Sequence, residues 1–370
     1  MYSGQKRFLL ISIIPHNLSD LEALTELQEA KSLIHSYEGK LVDLVIQRRE
    51  VHDKGSYIGV GKIHEASRLI KNSAIDVVVL NSVIRPSQIF DMKTIFQEKT
   101  PGIEVWDRVD LILNIFAKHA KTKEAKLQIE LAAMRHMGPR IYGMGMELSR
   151  QRGGIGTRGV GETNTELMKR HWDVRMKAVR DKLEKLTIEK KQQLAHRRRI
   201  GLKTVSLVGY TNAGKTTLFN LLTKKNKSVK NALFVTLDSV VGKIFLPVSG
   251  KEILVSDTIG FIRDLPTQLI DAFKSTLIES IHADILVHVI DASDKEMYKK
   301  IAIVEQILNE LGLKNTKKIN LFNKSEMLSE NDKEILNDLY PNNVRFYVSA
   351  KTGQGVMDFL KGIEIEIVST

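Results

Sequence analysis

The sequence predicts an α/β protein: an N-terminal parallel-sheet domain carrying a helical arm, then a second, doubly wound domain. Three observations predict it. Short β-rich runs alternate with helical periodicity in two separate stretches, the pattern of βαβ crossovers. Between those stretches the strand signals stop and long helical segments dense in Lys and Arg take over. The first strand of the second stretch runs into a glycine-containing turn that opens a helix, which is the context a phosphate loop requires.

In residues 1–117 the strand candidates are Arg7 to Ile14, Lys40 to Gln47, Ile75 to Leu80 and Gly102 to Trp106. Helical patterns fill Leu18 to Tyr37, Gly61 to Asn72 and the stretch after Pro86. Residues 118–203 form the arm. Leu111 to His136 reads as one helix, and residues 138–161 then hold 8 of the 24 glycines with Arg140, Arg150, Arg152 and Arg158, a glycine- and arginine-rich tip loop. Thr165 to Arg199 reads as a second helix whose apolar positions are Leu167, Val174, Ala178, Leu183, Leu186 and Leu194. Residues 204–370 resume the alternation. Their strands are predicted over Thr204 to Val208, Lys243 to Val248, Glu252 to Ser256, Ile285 to Ile290, Lys317 to Phe322 and Val344 to Ser349. Helices are predicted over Gly214 to Thr223, Thr267 to His282, Lys295 to Leu311, Asp332 to Leu339 and Val356 to Val368.

The 370 residues carry a net charge of +12 and no cysteine. The missing cysteines exclude disulfides, thiolate metal sites and a cysteine nucleophile. Residues 118–203 carry 22 basic and 9 acidic side chains, whereas the flanking domains are close to neutral. A surplus so confined belongs to one surface and predicts a polyanionic partner there. A solvated basic helix beside a flexible linker would give the same count. The apolar run Phe8 to Ile14 is too short to span a membrane and leads to Pro15 without a cleavage site, so a cytoplasmic protein is expected.

Gly209-Tyr210-Thr211-Asn212-Ala213-Gly214-Lys215-Thr216 satisfies G-x-x-x-x-G-K-[ST]. Backbone N–H groups of such a loop and the start of the next helix wrap a β-phosphate, Lys215 adds charge at the β- and γ-phosphates, and Thr216 offers a hydroxyl to Mg²⁺. Thr217 continues the same helix start. Asp257-Thr258-Ile259-Gly260 ends the next strand, where Asp257 can hold a magnesium-bound water and the Gly260 N–H can sense a γ-phosphate. Asn323-Lys324-Ser325-Glu326 and Ser349-Ala350-Lys351 follow later strands, at the carboxyl ends where doubly wound sheets bind ligands. This set resembles translation-factor-type GTPases, in which Asn-Lys-x-Asp reads guanine and Ser-Ala-Lys closes over the base. Glu326 stands where that pattern has aspartate, so GTP preference is expected to be retained but weakened.

Phe261 follows Gly260 where Ras-like enzymes have the glutamine that orients water, so slow intrinsic turnover is expected. Thr236, in the switch-like stretch Leu233 to Asp238, is a candidate both for that task and for completing the Mg²⁺ shell. Asn212 has two readings: a potassium ligand beside the phosphates, or a turn-stabilising asparagine.

The phosphate loop, the segment Leu233 to Asp238 and Asp257 to Pro266 together resemble the HflX-type ribosome-associated GTPases. So do Gln47-Arg48-Arg49-Glu50, Tyr57 to Lys62 and Gly153 to Gly159. The resemblance covers nearly the whole chain. It implies GTP hydrolysis, Mg²⁺, binding of the large ribosomal subunit and its rRNA through the arm, and splitting or rescue of stalled ribosomes; an exposed RNA-binding arm is compatible with a monomer. Val160 and Asn164 depart from the usual tip sequence, which has proline and glutamine there. Other readings of the same motifs are a large-subunit assembly GTPase, an RNA-binding switch with little catalysis, and an ATP-driven RNA remodeller. Tyr57, Gly59 and Gly61 could form a phosphate-contacting turn in the first domain or a structural one.

Overall fold

The computed structural model describes residues 5–53, 55–151, 164–225, 233–234, 240–263, 266, 269, 277–340 and 344–368; the side chains of 141–151, 164–165 and 368 are outside the description. Packing divides the chain into two compact units, residues 1–118 with 126–183 and residues 119–125 with 184–370. Segment 118–203 is therefore shared between them.

The first unit is built on a four-stranded sheet of order β2-β1-β3-β4, from β1 (Arg7–Ile14), β2 (Lys40–Arg48), β3 (Val77–Leu80) and β4 (Glu104–Asp107). All three pairings are parallel, and Phe8 to Ile11 align with Val77 to Leu80 at the centre. Parallel strands need both faces covered, which is why β1 and β3 are continuous apolar runs with nearly every residue buried. Helices α1 (Asp20–Ser36), α2 (Val60–Asn72) and α3 (Pro86–Lys99) make the crossovers. Ser19 caps α1, exchanging hydrogen bonds with Glu22 in a capping box, and Pro86 occupies the first turn of α3, where its missing N–H costs nothing.

The stretch predicted as one helix from Leu111 is two, α4 (Arg108–His119) and α5 (Lys123–Gln151). The second runs through Gly138 and Pro139, where a tip loop was expected. Tertiary contacts on either side of the proline hold the helix: the Trp172 indole donates to the Met134 carbonyl at 3.1 Å, and Arg140 is anchored on Asp107 and Asp110. Residues 152–163 of the expected loop lie outside the described residues. Helix α6 (Asn164–Arg199) follows as predicted, but the apolar seam differs. Leu183 and Leu194 are buried as predicted and Val179 joins them, whereas Leu167, Val174 and Ala178 are exposed, because the Trp172 anchor sets which face of α6 turns inward.

The second unit holds a six-stranded sheet of order β10-β9-β8-β5-β7-β6. Its strands are β5 (Thr204–Val208), β6 (Val240–Phe245), β7 (Glu252–Asp257), β8 (Ile285–Asp291), β9 (Lys318–Asn323) and β10 (Arg345–Val348). Among the described residues only the edge hairpin β6–β7 is antiparallel. Among the described residues the helices are α7 (Lys215–Thr223), α8 (Ile278–Ile281), α9 (Met297–Glu310), α10 (Glu330–Leu339) and α11 (Val356–Val368). The helix expected over Thr267 to His282 falls largely on residues outside the description, and α8 is its described end. One core of Val205, Leu207, Phe219, Val255, Val287, Leu321 and Phe359 fixes the central strands, and with them the loops at their carboxyl ends. No described helix is long and apolar enough to cross a membrane.

Candidate nucleotide site

The site is assembled from the loops that leave the carboxyl ends of β5, β7, β9 and β10. The phosphate loop turns from β5 into α7 at Gly214, whose φ of 91° is left-handed and whose missing Cβ leaves room for the Asn323 amide. Asn323 uses that approach to tie three loops. Its Nδ2 donates to the Ala213 carbonyl at 2.8 Å, and its Oδ1 accepts from the Ala350 N–H at 2.9 Å. The phosphate, base and Ser-Ala-Lys loops thus share one side chain.

Lys215 is 6% exposed, and its Nζ donates to the Gly209 and Tyr210 carbonyls at 3.0 and 2.7 Å. Burial lowers its pKa to about 8, with the nearby Asp257 carboxylate opposing the shift. The Thr216 hydroxyl donates to Asp257 Oδ2 at 3.0 Å, joining the two expected magnesium residues across α7 and β7. Asp257 is fully buried at the end of its strand. A hydroxyl and a carboxylate converging at the loop suit a hard divalent cation, so the donor set fits Mg²⁺.

The D-x-x-G segment is fastened to the phosphate loop. Phe261 N–H donates to the Gly209 carbonyl at 3.1 Å and Thr211 N–H to the Phe261 carbonyl at 2.8 Å, a short parallel bridge. The Tyr210 hydroxyl accepts from Arg263 N–H at 2.8 Å, and Lys300 lies 5.1 Å from the Tyr210 ring centre. The Phe261 ring is 1% exposed.

Lys324 takes a left-handed φ of 61°, and its Nζ meets Asp291 Oδ2 at 2.5 Å. Glu326 lies exposed on the single 3₁₀ turn Ser325–Met327. Ser349 is buried and accepts from Thr352 N–H at 3.2 Å, while Lys351 is exposed. Sequence reasoning did not single out Asp291 or the Tyr210 hydroxyl. The signal for Asp291 was present, an acid ending an apolar strand beside the base loop.

Asn212 is exposed with φ of 61°, a left-handed conformation that asparagine tolerates, so the turn alone accounts for it. Thr217 lies half-buried in α7, and Thr236 lies outside the described residues. Arg152 and Arg158 also lie outside them, as does the Arg150 side chain. Arg140, expected at RNA, is instead paired: its guanidinium meets Asp107 at 2.5 Å and Asp110 at 2.6 Å, with His136 alongside. Buried as this cluster is, the guanidinium is committed to carboxylates and is withdrawn from the RNA set. Gly59 donates to Gln47 Oε1 at 3.0 Å and the Tyr57 ring is fully buried beside His52, which makes that turn structural.

Residues 24–117, 119–199 and 204–324 match families described as GTP-binding GTPase N-terminal, GTP-binding GTPase Middle Region and 50S ribosome-binding GTPase. GTPase HflX of Caldanaerobacter subterraneus is 40% identical over 365 residues, covering 98% of this chain and 81% of that protein. GTPase HflX of Escherichia coli K12 is 35% identical over 362 residues, covering 98% and 83%. The fold is similar to that of a GTP-binding protein from Sulfolobus solfataricus in complex with GDP, with a TM-score of 0.51 and 23% identity over 99% of both chains. With such identity along nearly its whole length, and with the phosphate, Asp257 and Asn323 loops assembled around one site, this chain belongs to the HflX family of GTPases.

Proposed function

We propose that this GTPase binds the large ribosomal subunit through its basic arm and uses GTP to separate stalled ribosomes into subunits. The observation that carries the reading is the confinement of surplus charge to residues 118–203, with 22 basic and 9 acidic side chains. Lys177, Arg180, Lys182 and Lys185 of α6 are all exposed, and cations on one helix suit a phosphate backbone. The description 50S ribosome-binding GTPase for the family matched by residues 204–324 supports the same partner. A cytoplasmic monomer accords with this role.

Thr216 would ligate Mg²⁺ directly and Asp257 through water; Thr236 is proposed to complete the shell. The ion supplies charge neutralisation at the β- and γ-phosphates. Lys215 and the loop N–H groups bind the phosphates, and Asn323 holds the base loop in register with them. Potassium has no observation behind it beyond the identity of Asn212.

Sedimentation of ribosomes through sucrose gradients with this protein, and GTP or a non-hydrolysable analogue, tests the reading. Conversion of 70S particles to subunits with either nucleotide is expected. Binding to large subunits without loss of 70S particles would instead favour an assembly role, and no co-sedimentation would reject the ribosomal partner.

A further inference from the structure

Lys324 follows Asn323 in the base loop, and a neighbouring strand holds its side chain. Strand β8 ends at Asp291, in register with Asn323 at the end of β9, and the Ala292 N–H donates to the Asn323 carbonyl at 3.0 Å. One residue on, Lys324 takes φ of 61° and ψ of 34°, a left-handed backbone that residues with a Cβ rarely adopt. Its Nζ donates to Asp291 Oδ2 at 2.5 Å, and among the described residues no other carboxylate pairs with it.

The carboxylate is itself fixed from the other side. Asp291 Oδ1 accepts from the Ser293 N–H at 3.0 Å and from the Ser293 hydroxyl at 2.6 Å, so its two oxygens have separate partners. The side chains of Asp291 and Lys324 are 17% and 36% exposed. The ammonium is therefore tethered to a pinned acceptor while part of the lysine side chain stays accessible, at the sheet edge where Asn323 ties the loops together. A lysine already held at its charged end has less rotamer freedom to lose when a ligand covers its apolar stem.

We propose that Asp291 is a positioning residue for guanine nucleotides: it holds Lys324 in the orientation in which the lysine stem packs on the base, and acts on the ligand only through that side chain. Ser293 serves the same end one step further out, by fixing the carboxylate. The proposal rests on the reading that the loop from Asn323 to Glu326 faces the base, and it is independent of the ribosomal partner.

A double-mutant cycle on GDP affinity, measured by isothermal titration on Asp291→Asn, Lys324→Met and the double variant, tests it. Asparagine keeps an acceptor for Ser293 but removes the charge opposite the ammonium, and methionine keeps an unbranched apolar stem without the ammonium. The pair is partly exposed, so all three variants are expected to fold. Asp291→Asn is expected to weaken GDP binding about fivefold in the wild-type background and less than about twofold in the Lys324→Met background. Lys324→Met alone is expected to weaken it about as much as Asp291→Asn does. An equal loss on Asp291→Asn in both backgrounds would overturn the proposal and assign Asp291 to the Ser293 turn alone. Wild-type affinity in Asp291→Asn would overturn it too. Lys324→Met binding GDP as tightly as the wild type would instead overturn the reading that this loop faces the base, and the proposal with it.

Discussion

Arg197, in the last turn of α6, donates to both carboxylate oxygens of Glu279, at 3.3 and 3.0 Å, and Glu279 is only 3% exposed. The pair ties the end of the long basic helix to α8, immediately after the stretch that follows Gly260. Arg198 adds a bond to the His282 carbonyl at 3.0 Å, just past the same short helix. Removing one member of a buried ion pair leaves the other charge desolvated. Arg197→Ala should therefore destabilise the second unit by about 3 kcal/mol in urea unfolding, with Arg197→Met/Glu279→Leu recovering most of the loss. A single variant as stable as the wild type would show that the pair is solvated.

Asn323 makes its two bonds to backbone groups of two different loops, so its loss should loosen the site without emptying the core. Two buried hydrogen bonds correspond to about 2 kcal/mol, and Asn323→Ala should weaken GDP binding by about thirtyfold. Isothermal titration checks this, and an affinity within about twofold of wild type would show that the nucleotide itself holds the loops together.

Glu326 projects from an exposed 3₁₀ turn, where its carboxylate is one methylene further from the backbone than an aspartate would be. Glu326→Asp should sharpen discrimination of GTP over ATP in a competition titration. Equal discrimination in both proteins would show that the turn moves to absorb the extra length.

Much of this was legible in the sequence because the carriers are local. The phosphate loop, Asp257 and Asn323 sit at strand ends whose apolar runs mark them, and Arg7 to Ile14 and Thr204 to Val208 read correctly to the residue. The misreadings occurred where tertiary contacts decide. Gly138 and Pro139 argue locally for a loop, but the Trp172 and Arg140 anchors carry α5 through them. The role of Arg140 was illegible for the same reason, since Asp107 and Asp110 are 33 and 30 positions away in the chain.

The Arg140 cluster also predicts a pH dependence. Burial works against the charged His136 ring, but the hydrogen bonds it donates to the Asp107 and Asp110 carboxylates outweigh it and raise its pKa to about 9. Burial likewise opposes ionisation of Asp110, and His136 with Arg140 overcomes it to hold that carboxyl at about 2. A raised histidine stabilises the fold fully below its unfolded pKa, about 6.5, and the contribution is lost as pH climbs through 9. Proton NMR should find the His136 ring titrating near 9, and the first unit should lose about 3 kcal/mol between pH 6.5 and 10. His136→Asn should abolish that loss. The depressed Asp110 acts at the other end, its contribution present above the ordinary carboxyl pKa and lost as pH falls through 2.

Salt should expose the chemistry of the arm. Each Lys or Arg on a phosphate releases condensed counterions, so with four such contacts affinity for large subunits should fall about a hundredfold between 50 and 200 mM KCl. Lys177 and Arg180 are exposed on α6 and belong to neither the nucleotide site nor the described ion pairs. Replacing both with glutamine should weaken binding and reduce the slope of log affinity against log salt by about two, with GTP affinity unchanged. An unchanged slope would move the contact away from this face of α6. A lost GTP affinity would mean that the substitutions had disturbed the fold, which melting curves would reveal independently.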